Sequence, residues 1–188
     1  ISEFFPVGCL GLVPLEDRRS PKNIDVSFFG KSTPHRVKSL KKIFSPDLNV
    51  VVVGQGWETG YLPDVVLASL LNRTKIGLNL TLHSQSDNPH GPDPRFASCM
   101  RIVEMLERSV LVVSETLPID NPYSPYIYQD EPEKLPELCR SLLADKNWKT
   151  NAERNSLAFA ERMDAVAICR PVIEKSVASI GTLSGRGP

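Results

Sequence analysis

The chain has 188 residues, enough for one domain with a buried core, or one domain plus an appendage. Its 22 basic and 22 acidic side chains cancel, so no global field draws it to nucleic acid. No apolar run approaches the ~20 residues that a membrane-spanning helix needs.

The chain opens without Met, on the apolar stretch ISEFFPVGCLGLVP. The stretch lacks a basic leader and so does not read as a signal peptide. The missing Met is what a fragment or a processed chain would show. Residues 1–23 read as a lead-in or interdomain linker, with a charged patch at 16–19. The first strand is expected at 24–29 (IDVSFF), followed by Gly30-Lys31-Ser32-Thr33. Thr33 can cap a helix with Pro34 at its first position, and Val37, Leu40, Ile43 and Phe44 form its apolar stripe. A local basic cluster (His35, Arg36, Lys38, Lys41, Lys42) lies on this helix. A second strand at 49–53 runs into Gly54-Gln55-Gly56-Trp57-Glu58. Pro63 then opens a mostly apolar helix to Leu71.

The third strand, 75–80, leads into a long polar loop at 81–93 that holds His83 and His90. Asp93 and Pro94 open a helix with Phe96, Cys99, Met100, Val103 and Leu106 facing inward. After a turn at 107–109 comes a fourth strand, 110–114, and a weaker fifth is expected at 126–129. Helices follow at 133–143 and 148–168, and Pro171 is expected to break or kink whatever continues. Residues 24–178 thus form one domain, and 179–188 a Gly- and Ser-rich mobile tail. Strand and helix alternate throughout, which predicts an α/β fold: a doubly wound parallel sheet covered on both faces. Cys9, Cys99, Cys139 and Cys169 have neither metal-ligand nor redox spacing. They suit a reducing, cytoplasmic compartment and imply no metal.

In such a sheet, ligands bind beyond the carboxyl ends of the strands. Gly30 lets backbone approach a ligand, and the following helix N-terminus offers N–H groups to a phosphate, with Lys31 and Arg36 adding charge. An ordinary strand-to-helix turn has the same composition. The run lacks the Gly-Lys-Ser/Thr ending of a Walker loop. Gly54 and Gln55 form the next such loop, where Trp57 either seats a flat base or anchors packing. Asn79 stands at the end of the third strand. His83 is a weak candidate catalyst, distinguished only by its position after that strand. Arg101, Glu104 and Arg108 share one helix face, either as solvated ion pairs or as a binding surface. In the second case Glu104 accepts hydrogen bonds from a ribose diol, and Arg101 or Arg95 lies near a pyrophosphate.

The runs NIDVSFFGKSTPHRVKSLKKI, GYLPDVVLASLLNRTKIGLNL, RIVEMLERSVLVVSE and IYQDEPEKLPELCRSLLAD, in that order, resemble the C-terminal, donor-binding half of GT-B glycosyltransferases. They are most similar to the CgeB-like and group 1-like members, over residues 24–170. The resemblance implies a Rossmann-like donor domain for a UDP- or GDP-linked sugar, with no cofactor and no obligatory metal. It makes Glu104 the ribose-holding residue, Arg101 its basic neighbour and Gly30 the glycine near the donor phosphates. It also implies a separate N-terminal acceptor domain as partner. The chain departs from the family at Phe96, where many retaining members carry a second Glu, and at 105–109, where small residues are usual. Those departures keep open an alternative, a non-catalytic Rossmann-like relic serving assembly or nucleotide-sugar binding only. A dinucleotide enzyme is disfavoured, because no strand is followed by Gly-x-Gly-x-x-Gly.

Overall fold

The structure, a computed structural model, describes residues 8–81, 99–118 and 120–184. Five parallel strands form one sheet in the order β2-β1-β3-β4-β5: β1 Ile24–Phe29, β2 Val50–Val53, β3 Thr74–Asn79, β4 Leu111–Glu115 and β5 Tyr128–Asp130. The helices are α1 Leu15–Arg18, α2 Pro34–Ile43, α3 Asp64–Asn72, α4 Cys99–Leu106, α5 Leu135–Ala144, α6 Trp148–Arg162 and α7 Ala165–Ser184. This is the expected α/β, Rossmann-like arrangement.

Both sheet faces are covered because the strands are apolar on both sides. Leu111 and Val113 point to one face, with Val26, Phe28, Ile76 and Leu78, and pack against Leu40 and Ile43 of α2 and Leu135 and Cys139 of α5. Val112 points to the other, against Leu71 of α3, Val103, Met105 and Leu106 of α4, and Phe159 of α6. On that second face Gly77 lets α4 come close. A Cβ on Gly77 would lie 2.0 Å from the Met105 sulfur.

Thr33 caps α2 as expected: its Oγ1 accepts the Arg36 N–H, and Pro34 takes the first helical position. The expected stripe is corrected at Phe44, which is 48% exposed. Phe44 is the C-cap residue in extended conformation and lies off the helical face. Met100 is also exposed, at 55%. The phase of α4 is set by Ile102, Val103, Met105 and Leu106 closing on the sheet. The expected fifth strand shifts to Tyr128–Asp130, because Ser124–Tyr126 forms a 3₁₀ turn ahead of it.

The expected helix at 148–168 is two helices. Cys9 separates them: its N–H donates to Met163 O at 2.6 Å and its carbonyl accepts the Ala165 N–H at 3.0 Å. No pattern within 148–168 could announce a residue so far away in sequence. Pro171 does not end α7, which runs through it to Ser184, past the start of the expected tail. Residues 8–23 lie against the domain. Val13 N–H donates to Glu107 O, Arg18 donates to Ser109 Oγ, and Lys22 Nζ donates to Arg108 O. Among the described residues no helix is long and apolar enough to cross a membrane.

Candidate functional site

The sheet is breached at one place on its carboxyl edge. Strand β1 pairs with β3 only as far as Ser27 and Gly77. Beyond that, β1 follows β2 to Phe29 and Val53, while β3 follows β4 to Asn79 and Ser114. This is the topological switch point, where successive crossovers run to opposite sides and leave a crevice.

Two arginines bridge the breach. Arg36, from α2, is 3% exposed. It donates from Nε and Nη2 to Leu80 O at 3.0 and 2.8 Å, and from Nη1 to Lys31 O at 3.0 Å. Arg101, from α4 on the other face, donates from Nε to Phe29 O at 2.7 Å and from Nη1 to Asn79 Oδ1 at 3.1 Å. Both guanidinium carbons lie over the Phe28 ring, at 5.3 and 5.1 Å from its centroid. Desolvation, and then the like charge of Arg36, push the Arg101 pKa down to about 9, so it stays charged at neutral pH. Its bonded partners are all neutral. Among the described residues no carboxylate forms an ion pair with it.

Above Arg101 lie two glycine loops. Gly30 (φ +148°) leaves room for the Arg101 Nη2, which a Cβ there would approach to 2.6 Å. Gly54 (φ +126°) abuts Gly30, and its Cβ would meet the Gly30 carbonyl oxygen at 2.4 Å. Trp57 Nε1 donates to that same oxygen at 2.8 Å, and the indole meets Phe28 edge-on. Of its two expected roles, then, the geometry gives Trp57 the anchoring one. Gly30, Lys31, Gly54 and Gln55 come together around a pocket of about 150 Å³. Its remaining walls are Phe29, Val53, Leu62 and Leu67, with Tyr61 and Asp64 at the polar side.

The helix N-terminus offers a phosphate less than expected. Pro34 has no N–H, and Thr33 Oγ1 takes that of Arg36. Arg36 itself is spent on carbonyls, so it shapes the crevice and does not extend into it. Asn79 is likewise engaged, accepting from Arg101 and donating from Nδ2 to Ser114 Oγ at 2.9 Å. Lys31 is exposed at the pocket. Glu104 is half-buried on α4, and the expected ion pairs with its neighbours do not form. Arg108 Nη1 donates to the Glu104 backbone carbonyl at 2.9 Å. The Glu104 carboxylate has no hydrogen-bond partner among the described residues. Burial raises its pKa against the pull of Arg108 and Arg101. His83, Arg95 and Phe96 lie outside the described residues.

Sequence reasoning passed over one buried acid. Glu115, 1% exposed at the end of β4, accepts from the N–H and Oγ1 of Thr81 at 2.9 and 2.8 Å. It also bonds His35 Nε2 at 2.6 Å. A charged residue that closes a buried apolar strand was the available signal. Tyr61 and Asp64 were missed as well. They follow Gly60 (φ +62°), where the chain turns into α3. Among the described residues no group of His, Cys, Asp or Glu gathers as a metal site.

No protein-family model matches the chain, and no curated protein matches its sequence. Solved structures share the fold. Anabaena Alr3699/HepE in complex with UDP and glucose superposes with TM-score 0.61 at 15% identity, over 90% of this chain and 54% of that one. The same protein with UDP-glucose gives 0.59. The GtfA/B complex gives 0.56 at 12% identity, over 91% of this chain and 39% of that one. This chain therefore spans about half the length of the HepE chain. At such identities the likeness is one of fold.

Proposed function

We propose that the crevice between β1 and β3 binds the diphosphate of a nucleotide sugar, and that this chain is the donor-binding half of a two-domain GT-B glycosyltransferase. The observation that carries the reading is Arg101. It is a half-buried cation whose hydrogen-bond partners are all neutral, directly beneath Gly30, with the Glu104 carboxylate acting on it through space. A bound anion would add a hydrogen-bonded countercharge to the through-space one of Glu104. The UDP and UDP-glucose held by the HepE structures support the same ligand class.

In this reading Arg101 and Lys31 face the diphosphate, with Gly30 making room for the Arg101 guanidinium and Gly54 for the Gly30 backbone. The apolar pocket beyond receives the base. Glu104, whose carboxylate has no hydrogen-bond partner among the described residues, accepts from the ribose hydroxyls. During transfer an acceptor hydroxyl attacks the anomeric carbon as the bond to the diphosphate oxygen breaks. The charge that develops on the leaving group falls to Arg101 and Lys31, with no metal required. The acceptor, and the base that takes its proton, would come from the other half of the enzyme.

Calorimetry with UDP, GDP and UDP-glucose tests the proposal. At least one nucleotide should bind, and Arg101→Leu and Glu104→Ala should each weaken it by about tenfold or more. Binding of none, or equal binding by both variants, would overturn the assignment.

A further inference from the structure

Helix α7 rests on the domain through its first turn. Ala165 is buried beside Cys9, and Ile168 packs against the core face that holds Phe159 and Met163. Every described side chain from Arg170 onward is exposed. The helix nonetheless continues to Ser184, and Pro171 inside it can donate no backbone hydrogen bond. Helices in proteins draw most of their stability from packing, so α7 lacks the burial that ordinarily holds one.

The exposed side carries an apolar stripe. Val166, Ile173 and Val177 are 62, 59 and 63% exposed. At about 100° per residue they fall within about 40° of arc. Ala165 and Ile168, which meet the domain, lie about 100° and 160° from Val166. The stripe is therefore a separate face, about 16 Å long from Val166 to Val177. One exposed valine needs no explanation, but three apolar residues in line on an otherwise unpacked helix mark a contact surface.

The flanking charges identify the partner. Arg170 and Glu174 lie one turn apart on the same flank of the stripe, and both are exposed. In an antiparallel pair related by a two-fold axis, each flank meets the same flank of the other copy. An axis at residue 172 sets Arg170 of each copy level with Glu174 of the other. The same register sets Ile173 about 3 Å along the helix from its counterpart, and Val166 about 1.5 Å from the counterpart of Val177. Charge and apolar pairing agree on one register. In a parallel pair this flank would meet the one that carries Cys169, and neither charge would find an opposite one.

We propose that α7 is a self-association surface whose partner is α7 of a second copy, antiparallel about residue 172. The proposal does not rest on nucleotide binding at the crevice. One helix per copy covers less than the about 800 Å² per partner of a standard interface. Association should therefore be micromolar and concentration-dependent.

The test is size-exclusion chromatography with light scattering on the full chain, from about 1 to 300 μM. Twice the chain mass should appear toward the upper end. Ile173→Glu should return the monomer, and its urea midpoint at low concentration should match that of wild type, because the residue is exposed. Arg170→Glu and Glu174→Arg should each weaken the pair at least about tenfold. Mixing these two variants should restore it, since each then offers the charge that the other lacks. A monomer at all concentrations would overturn the proposal and leave the stripe to another protein, such as the acceptor half. So would a dimer that survives Ile173→Glu, or a mixture no tighter than either variant alone.

Discussion

Arg36 and Arg101 reach the same breach in the sheet from opposite faces, each tying the end of β1 to the end of β3. Their roles separate. Arg36 gives its donors to backbone carbonyls and is almost wholly enclosed. Its replacement by Ala strands those carbonyls and should cost about 2–4 kcal/mol in urea denaturation. Arg36→Lys should recover little, since one ammonium cannot span both strand ends. Arg101→Leu should cost only about 1 kcal/mol of stability yet remove most nucleotide affinity. Equal stability losses in the two variants would refute the division.

Local features were legible in the sequence. The strands announced themselves as short apolar runs, and Thr33-Pro34 announced the start of α2, because both depend on near neighbours. Features set by distant partners were not. Arg36 reads as one member of a solvated basic cluster until Leu80, 44 residues away, takes two of its donors. Arg108 reads as the ion-pair partner of Glu104. It sits just past the helix end, however, where unsatisfied carbonyls compete for its guanidinium. Gly30 was recognisable as an approach point and Gly54 as part of the next ligand loop, but their contact with each other required the register of β1 on β2.

That contact gives a second prediction. Gly54→Ala places a methyl against the Gly30 carbonyl, at a backbone angle closed to other residues. It should destabilise the chain by about 2–4 kcal/mol. Gly60→Ala is the control. Its φ of +62° is left-handed but nothing lies within 4 Å, so the cost should be about 1 kcal/mol. Urea midpoints would compare the two, and equal costs would refute the contact.

Glu115 gathers β4, the start of the segment after β3, and α2 through its bonds to Thr81 and His35. Glu115→Leu leaves the buried N–H and Oγ1 of Thr81 without their acceptor and the half-buried His35 ring without this partner, and should cost about 2–4 kcal/mol. Glu115→Gln can keep its oxygen toward Thr81 and turn its amide nitrogen to His35, at about 1 kcal/mol. Hydrogen exchange at the Thr81 amide should accelerate strongly in the first variant and little in the second. Unchanged protection in both would show that the Thr81 link contributes nothing.

Glu104 should trade stability for binding. Burial raises its pKa, and the nearby charges of Arg108 and Arg101 do not fully offset that. From the ordinary carboxylate value up to the raised one, the folded chain therefore holds more protons than the unfolded chain. Stability falls as pH rises through that window, and the loss persists at neutral pH. The side chain is only half-buried, so solvent screening keeps the effect to a few tenths of a kcal/mol. Glu104→Gln should flatten this part of the pH profile and make the free protein slightly more stable at pH 7. The same substitution removes the charged acceptor proposed for the ribose hydroxyls, and UDP affinity should fall about tenfold. Urea midpoints between pH 4 and 7, compared as a difference between wild type and variant, isolate the group. A variant that is less stable at pH 7 with UDP affinity intact would show that Glu104 serves the fold and not the ligand.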